Sequence, residues 1–536
     1  MIIKTEGLLY GSKHICRQMC YARGVNMKTI VNSAQMKAVD DYTVEKVGIP
    51  AIVLMERAAL SVIDEMKKHG VTKEKILAVC GIGNNGADGV AAARILYLQS
   101  YTVAILLVGD EDKASPLLKQ QIVIARNLGI SIYNNIAITE YTIIIDAIFG
   151  IGLSRNISGI YKEIIEEINA GSHTVYSVDI PSGLSADTAK PMDIAIKADY
   201  TITFGLNKIG LILYPGCEYA GNIIVEEIGF PEIAVKQVNS PYFIYDTNDL
   251  IKLPKRLNYS NKGTFGKVLV IAGSVNISGA CYFSAKAAYR AGSGLVKVMT
   301  AEENRIIIQS QLPEALLFTY KSDNWDDCTE EQILKEIEWA KVIVIGPGIS
   351  MSNTSGRLLD LVLEHAKVPV ILDADGINLL SKKVDSMYND NSRIENIVSI
   401  LPKQTVLTPH LKELSVLLDV PLDTIISNLL GIADICTCKN DLITVLKDAR
   451  TIVANKKERY INISGNNGMS TGGSGDVLTG IIAAFIAQGL EAKEAAKLGV
   501  YIHGLAGDKA RELKGSYCLI ASDIIDALAQ VLNNND

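Results

Sequence analysis

"KILAVCGIGNNGADGVAAARILYLQS", residues 75–100, sets an unbroken apolar run from Ile76 to Cys80 against a glycine-bearing turn and a helix of small residues. A strand with one wet face alternates apolar and polar positions; this run does not, so it reads as a strand buried on both faces. The unit then repeats outward. "YTVAILLVG" (101–109), "SPLLKQQIVIARNLG" (115–129), "YTIIIDAIFG" (141–150), "IYKEIIEEINAG" (160–171) and "HTVYSVDIPSG" (173–183) alternate strand and helix patterns. Val/Ile runs joined by amphipathic segments imply a parallel sheet with helices on both faces, so residues 27–232 are expected to form a doubly wound α/β domain. A proline-punctuated stretch, "GFPEIAVKQVNSPYF" (229–243), breaks the rhythm. It restarts in "GKVLVIAG" (266–273), "AKVIVIGPGIS" (340–350), "VPVILDADG" (368–376) and "TVLTPH" (405–410). Residues 233–536 are therefore expected to form a second α/β domain, distinct from the first because only the rhythm is shared.

Composition narrows the class. With 536 residues, two to four domains are expected. Charged residues make up 21% and the formal charge is only −7 with no basic block, which argues against a nucleic-acid surface. No run of about 18 apolar residues suggests a membrane span. The nine cysteines are scattered without zinc spacing, and the six histidines form no paired-ligand motif, so a reduced, cytoplasmic protein without a zinc centre is expected. Residues 1–26 lack the apolar core of a secretory signal; they are a transit-like extension or a start codon set too early, and are left outside the fold argument.

Two loops carry chemistry. In "NNGMSTGGSGDVLTG" (466–480) the apolar stripe Leu478, Ile481, Ile482, Phe485 and Ile486 places a helix start near Gly475–Asp476. Free amides and the positive end of the helix dipole then face a loop whose missing Cβ atoms admit a phosphate. Asp476 is repelled by a phosphate but suits a hydroxyl beside it, as base or orienting group; the plainer reading is an acid near a helix start. The second loop, "GIGNNG" (81–86), satisfies the dinucleotide pattern GxGxxG. Asn84, Asn85 and Asp88 argue against it, because they suit hydroxyls or a cation and Asp88 would repel a pyrophosphate. Asp146 and Asp179 end two further strands, where sites of open α/β sheets form, although any one such acid is commonly a turn cap.

The motifs of the second half resemble the ribokinase-like domain of NAD(P)H-hydrate dehydratase: "NKGTFGKVLVIAGS" (261–274), "GPGIS" (346–350), "LDADGINLL" (372–380), "LTPHLKEL" (407–414) and "NNGMSTGGSGD" (466–476). The resemblance implies that hydrated NADH or NADPH (NADHX, NADPHX) is phosphorylated by ADP or ATP with magnesium, and that phosphate elimination restores the dihydronicotinamide. It implies that Asp476 activates the hydroxyl, that Gly348 and His410 line the hydrate pocket, and that Gly472, Gly473, Ser474 and Gly475 hold the phosphoryl group. Lys447, Asp448, Ala449, Arg450 and Thr451 stand where the family shows KGAxT and contacts the nucleotide. Asp448 and Arg450 depart from that pattern, and "TPHLKEL" replaces TPHPGE. Asp373 and Asp375 are placed either near magnesium or as strand-end caps.

"GNNGADG", "DAIFGIGL" and "VDIPSGL", preceded by "MKAVDDYTVEKVGIPAIVLMERAA" (36–59), resemble the Rossmann-like NAD(P)H-hydrate epimerase domain. The resemblance implies that Asn85, Asp146 and Ser182 hold potassium. It implies further that Asn84, Asn85, Gly86, Ala87, Asp88, Gly150, Ile151, Gly152, Leu153, Ser154, Arg155 and Asn156 bind the hydrate, and that Asp179 is the acid/base group. Ala87 replaces the usual glycine, and its methyl crowds the loop if the position needs positive φ. A bifunctional isomerase and lyase, and a homo-oligomer, are expected. Two other readings stay open here: a ribokinase-type kinase with a stable phosphorylated product, and a non-catalytic first domain.

Overall fold

The computed structural model describes residues 20–21, 28–72, 74–321, 327–388, 393–437 and 442–533. Its contacts divide the chain between Ser240 and Pro241, a few residues beyond the expected boundary, inside the proline-punctuated stretch. Each unit has its own sheet.

The first unit holds eight parallel strands in the order Cys20–Tyr21, Asn222–Glu226, Tyr200–Phe204, Thr174–Val178, Ile143–Ala147, Lys75–Cys80, Thr102–Leu107, Ile132–Tyr133. Residues 1–26, apart from Cys20–Tyr21, lie outside the described residues. That pair forms the edge strand, a role not foreseen when the extension was set aside. Alternate residues of one strand enter different cores. Ile76, Ala78 and Cys80 pack with the helices Ala51–Lys68 and Asn84–Leu98, while Leu77 and Val79 pack with Ile164, Ile165 and Ile168 on the opposite face. The two-residue side-chain period therefore meets an apolar layer on both sides, the reason the run at 76–80 is unbroken. Chain direction reverses its spread between Lys75–Cys80 and Ile143–Ala147, and a crevice opens outside their carboxyl ends.

A short parallel pair, Ile30–Val31 with Asn207–Lys208, ties the helix Ser33–Asp41 to this edge. Asn32 caps that helix reciprocally with Gln35, and Ser33 donates to Asp187 from its amide (2.6 Å) and hydroxyl (2.8 Å).

The second unit has ten strands. Lys267–Ile271, Val342–Ile345, Val370–Leu372, Val406–Leu407 and Ile443–Leu446 run side by side in parallel, and among the described residues only the strand Ile452–Ala454 pairs antiparallel with its neighbours. The helices Gly279–Arg290, Ser474–Ala487, Ala492–Cys518 and Ala521–Leu532 share one apolar core over this sheet. Gly480 lets the first two meet: a Cβ there would lie 2.2 Å from the Ser284 carbonyl oxygen. Among the described residues no helix is long and apolar enough to cross a membrane.

Gly480→Ala should therefore separate these helices and lower stability by about 1–3 kcal/mol, read as a lower urea midpoint at unchanged m. An unchanged midpoint would show that the helix pair does not need this approach.

Candidate active sites

In the first unit the carboxyl ends of Lys75–Cys80, Ile143–Ala147 and Thr174–Val178 open into a cleft of about 1220 Å³. Gly86 makes the first loop tight, since a Cβ on it would lie 1.8 Å from the Gly81 carbonyl oxygen. The helix Asn84–Leu98 thus begins inside the loop and presents Asn85 and Asp88 from its first turns. Asn84, Asn85, Asp88, Gly150, Ile151, Gly152, Leu153, Ser154, Arg155 and Asp179 line the cleft. Gly86 and Ala87 are buried behind its wall, and Asn156 is exposed without lining it. Ala87 is helical rather than left-handed, so its methyl brings no backbone strain, and the crowding conditional on positive φ does not arise.

Asp179 follows its strand with φ +65°, an uncommon conformation for a non-glycine residue. Its Oδ1 accepts from Lys208 Nζ at 2.6 Å and from Thr203 Oγ1 at 3.2 Å. Lys208 is 0% exposed, and its ammonium also donates to Thr203 Oγ1 (2.7 Å) and the Phe204 carbonyl (3.0 Å). Three donors thus meet three acceptors, which a buried lysine requires. Asp40, Asp41, Glu45, Asp88 and Asp187 also line the cleft, and two of them are displaced upward. Asp40 is pushed up to about 6 by burial and then by the Asp179 charge, against Lys208. Asp88 is held well above the usual range by burial, then by Asp179 and Asp40. Sequence reasoning missed both Lys208 and Asp40. The signal for the first was a single lysine in the apolar run "FGLNKIGLILYPG" (204–216), since a lysine there must be paired.

Behind the cleft Asp146 is fully buried. It accepts from Ser177 Oγ (2.7 Å), Ser182 Oγ (2.5 Å) and Ser182 N (2.8 Å). Burial raises its carboxyl, the serine hydrogen bonds oppose that rise, and among the described residues no lysine or arginine pairs with it. Asn85 Nδ2 is buried without a hydrogen-bond partner.

In the second unit Gly473 (φ +89°) opens the helix Ser474–Ala487, and Asp476 is its third residue. Among the described residues no side chain caps this helix start, and Asp476 stands as an acid in its first turn, as the plainer reading also has it. Burial, then the Asp373 charge, pushes the Asp476 carboxyl up to about 7 against the pull of Lys447. Lys447 Nζ lies 2.7 Å from Asp373 Oδ1 and 3.9 Å from Glu413 Oε2. The ammonium is therefore turned inward, beneath the position a Cβ on Gly475 would take at 3.4 Å, while Asp448 and Ala449 are exposed. For Asp373, burial would raise the carboxyl, but Lys447 and the hydrogen bonds from Thr408 and Thr479 together outweigh it and hold the group below its usual range. Thr479 Oγ1 takes the other oxygen of Asp373 at 2.9 Å, and Asp375 accepts from Ser350 N at 2.9 Å.

His410 caps the helix Leu411–Leu418 through Nδ1, which accepts from the amides of Lys412 and Glu413 at 3.1 Å each. That fixes the neutral tautomer with hydrogen on Nε2, and the ring remains 51% exposed. Gly348 (φ +62°) packs on the start of Gly279–Arg290, where a Cβ would lie 2.6 Å from Ile277 Cγ2. Arg450 donates to the Ile463 carbonyl at 3.1 Å, and Thr451 Oγ1 to the Asp448 carbonyl at 3.0 Å. His503, unforeseen from sequence, is buried with Nε2 3.4 Å from Ser474 Oγ, and burial lowers it to about 4.

Residues 268–530 match the family profile described as NAD(P)H-hydrate dehydratase, and residues 51–210 match that of the YjeF-related protein N-terminus. The chain is 33% identical over 516 residues to a bifunctional NAD(P)H-hydrate repair enzyme of Thermofilum pendens, covering 94% of this chain and 96% of that one. It is 34% identical over 529 residues to the corresponding enzyme of Moorella thermoacetica, covering 94% and 97%. Among solved structures, the ADP/ATP-dependent NAD(P)H-hydrate dehydratase of Bacillus subtilis, co-crystallised with ATP/Mg2+, is 26% identical at a TM-score of 0.46, covering 55% of this chain and 98% of that one.

Removing Asp179 strands the Lys208 ammonium in a dry site. Asp179→Ala should therefore cost about 3–5 kcal/mol of stability, measured by chemical denaturation. A loss below about 1 kcal/mol would show that the buried pair is not needed for folding.

Proposed function

The chain belongs to the bifunctional NAD(P)H-hydrate repair enzymes, and on that premise we propose which residues serve each activity. The first domain interconverts the R and S hydrates of NADH and NADPH. The second, ribokinase-like, dehydrates the S hydrate to NAD(P)H at the expense of ADP or ATP through a phosphorylated intermediate.

One observation carries the assignment in the second domain: Asp476 stands uncapped at the start of a helix that follows a glycine loop, with its carboxyl pushed up to about 7. A general base works best with its pKa near the operating pH, where it is often enough deprotonated and still basic enough to take a proton from a hydroxyl. Asp476 accepts the hydrate's hydroxyl proton as that oxygen attacks the terminal phosphorus of the nucleotide. The amides of Gly472, Gly473, Ser474 and Gly475 hold the phosphoryl oxygens, each such donor contributing about 2.7–4 kcal/mol. Lys447 supports this loop from below, held by Asp373 and Glu413, and the backbone and exposed side of Asp448 to Thr451 receive the nucleotide. Magnesium arrives with the nucleotide phosphates. Gly348 and the exposed edge of His410 border the hydrate, and departure of phosphate together with loss of a proton from the neighbouring ring carbon then leaves the restored double bond.

In the first domain Asn84 to Asp88 and Gly150 to Arg155 bind the hydrate, and Asp179 exchanges a proton with it. Asn85, Asp146 and Ser182 suit potassium. Among the described residues no cationic side chain stands beside the buried Asp146 carboxylate, and the Asn85 amide has a buried, unpartnered end that, rotated, presents oxygen. One carboxylate among neutral oxygens matches a hard monovalent cation. When bound, potassium supplies positive charge near the hydrate's hydroxyl.

Asp476→Asn should abolish nucleotide-dependent dehydration and leave epimerisation intact, whereas Asp179→Asn should do the converse; loss of both in either variant contradicts independent sites. Because the base form of Asp476 is needed, wild-type dehydration should rise as pH climbs through about 7. A rate flat across that range would remove Asp476 as base. Potassium chloride should raise the Tm above that in choline chloride, and Asn85→Ala should lose the difference. Equal Tm values in both salts would leave the potassium site without support.

A further inference from the structure

We propose that Asp40, on the helix Ser33–Asp41, is a second catalytic acid–base residue of the epimerase cleft, working against an Asp179 that Lys208 holds in place. The proposal rests on the epimerase reading above and adds the group that reading lacks.

The reaction defines what is missing. Hydration of an enamine puts the hydroxyl on the carbon next to the ring nitrogen. Inverting that carbon breaks its C–O bond while the nitrogen lone pair forms C=N, and the hydroxyl leaves as water with one added proton. A second water then adds to the opposite face of C=N and gives up one proton, so one water leaves and one enters. No oxidant takes part. The cleft therefore needs a carboxylic acid to protonate the leaving oxygen and a carboxylate to deprotonate the arriving one.

Asp179 fits the carboxylate. Its Oδ1 is bound to the buried Lys208 ammonium at 2.6 Å, and Thr203 fixes it further. Asp40 fits the acid. It lines the same cleft, and among the described residues no hydrogen-bond donor engages its carboxyl. Asp88 and Asp179 both rise from the carboxyl edge of the sheet, whereas Asp40 comes from a helix outside the sheet, so it supplies a second wall. That helix is anchored for the purpose. Val31 pairs with Lys208 itself, Ser33 is held by Asp187, and Met36 and Val39 pack with Leu206 and Ala234. The charged groups around Asp40 are Asp179, Lys208, Asp41 and Asp88, with Lys37, Glu45, Arg155 and Asp187 also on the cleft wall. Its carboxyl, pushed up to about 6, keeps a proton to give near neutrality.

The test uses the full chain and an unequal mixture of NADH-hydrate epimers without nucleotide, with epimer exchange followed by NMR. Asp40→Asn should lower kcat for exchange by about 10²–10⁴-fold with KM changed severalfold at most. It should also flatten the fall in rate that wild type shows above pH 6, while Asp40→Glu should recover part of both. Dehydration of the S hydrate with nucleotide should keep its wild-type rate, which shows an intact second domain, and a wild-type urea midpoint for the first domain verifies its folding. Exchange by Asp40→Asn within about threefold of wild type overturns the proposal. So does a slowed variant that keeps the wild-type pH profile, because that marks a merely structural residue. Failure of wild type itself to exchange the epimers overturns the epimerase reading, and this proposal with it.

Discussion

A lysine that gives up water must find carboxylate oxygens, and each half of this chain resolves that demand at the carboxyl edge of its sheet. Lys208 meets Asp179 at 2.6 Å in the first domain, and Lys447 meets Asp373 at 2.7 Å in the second. Both aspartates end a parallel strand, where the backbone stops pairing and side chains turn into the crevice. The lysines come from later in the chain and close the site behind them. Each pair is costly to break from one side, because the survivor is an uncompensated charge in a poorly solvated place.

The pairs also set the behaviour of the acids nearby. A second carboxylate beside an already satisfied pair gains little from the lysine and feels the first aspartate as a like charge. Burial first, and then the charge of Asp373 on Asp476 and of Asp179 on Asp40, displaces both upward, to about 7 and about 6. One motif thus yields two outcomes: an aspartate anchored by a cation and a neighbour ready to exchange a proton near neutrality. The chemistry of the two domains differs because of what else lies at hand. The second domain adds a glycine loop at a helix start, which suits a phosphoryl group. The first adds hydroxyls, an asparagine amide and the buried Asp146, which suit a cation and a hydrated ring.

Much of this was legible before any fold was known. The unbroken run Ile76–Cys80, the loops at Gly81–Asp88 and Gly150–Asn156, and Asp146, Asp179 and Asp476 stand out because local pattern places them at strand ends or helix starts. For Lys208 and Asp40 nothing local names the partner. Lys208 belongs to an apolar run with no periodic signature, and Asp40 is one of two adjacent acids in "VDDYT" on a helix preceding the whole sheet. Their meeting depends on the two-residue pairing of Ile30–Val31 with Asn207–Lys208, more than 170 positions apart. Lys447 shows the same limit from the other side: its place in the motif suggested a ligand contact, while its direction is set by Asp373, 74 residues away.

By itself the sequence determined two α/β domains, the division near the proline-punctuated stretch, and the acids and glycine loops that mark each site, because strand burial, helix starts and turn chemistry are local properties of a short segment. Only the tertiary structure decided which lysine neutralises which aspartate, which acids are left to exchange protons, and that Ala87 is strain-free in a helix. Those outcomes depend on distances between segments and on how much water remains around each charge, and neither quantity exists until the chain has folded.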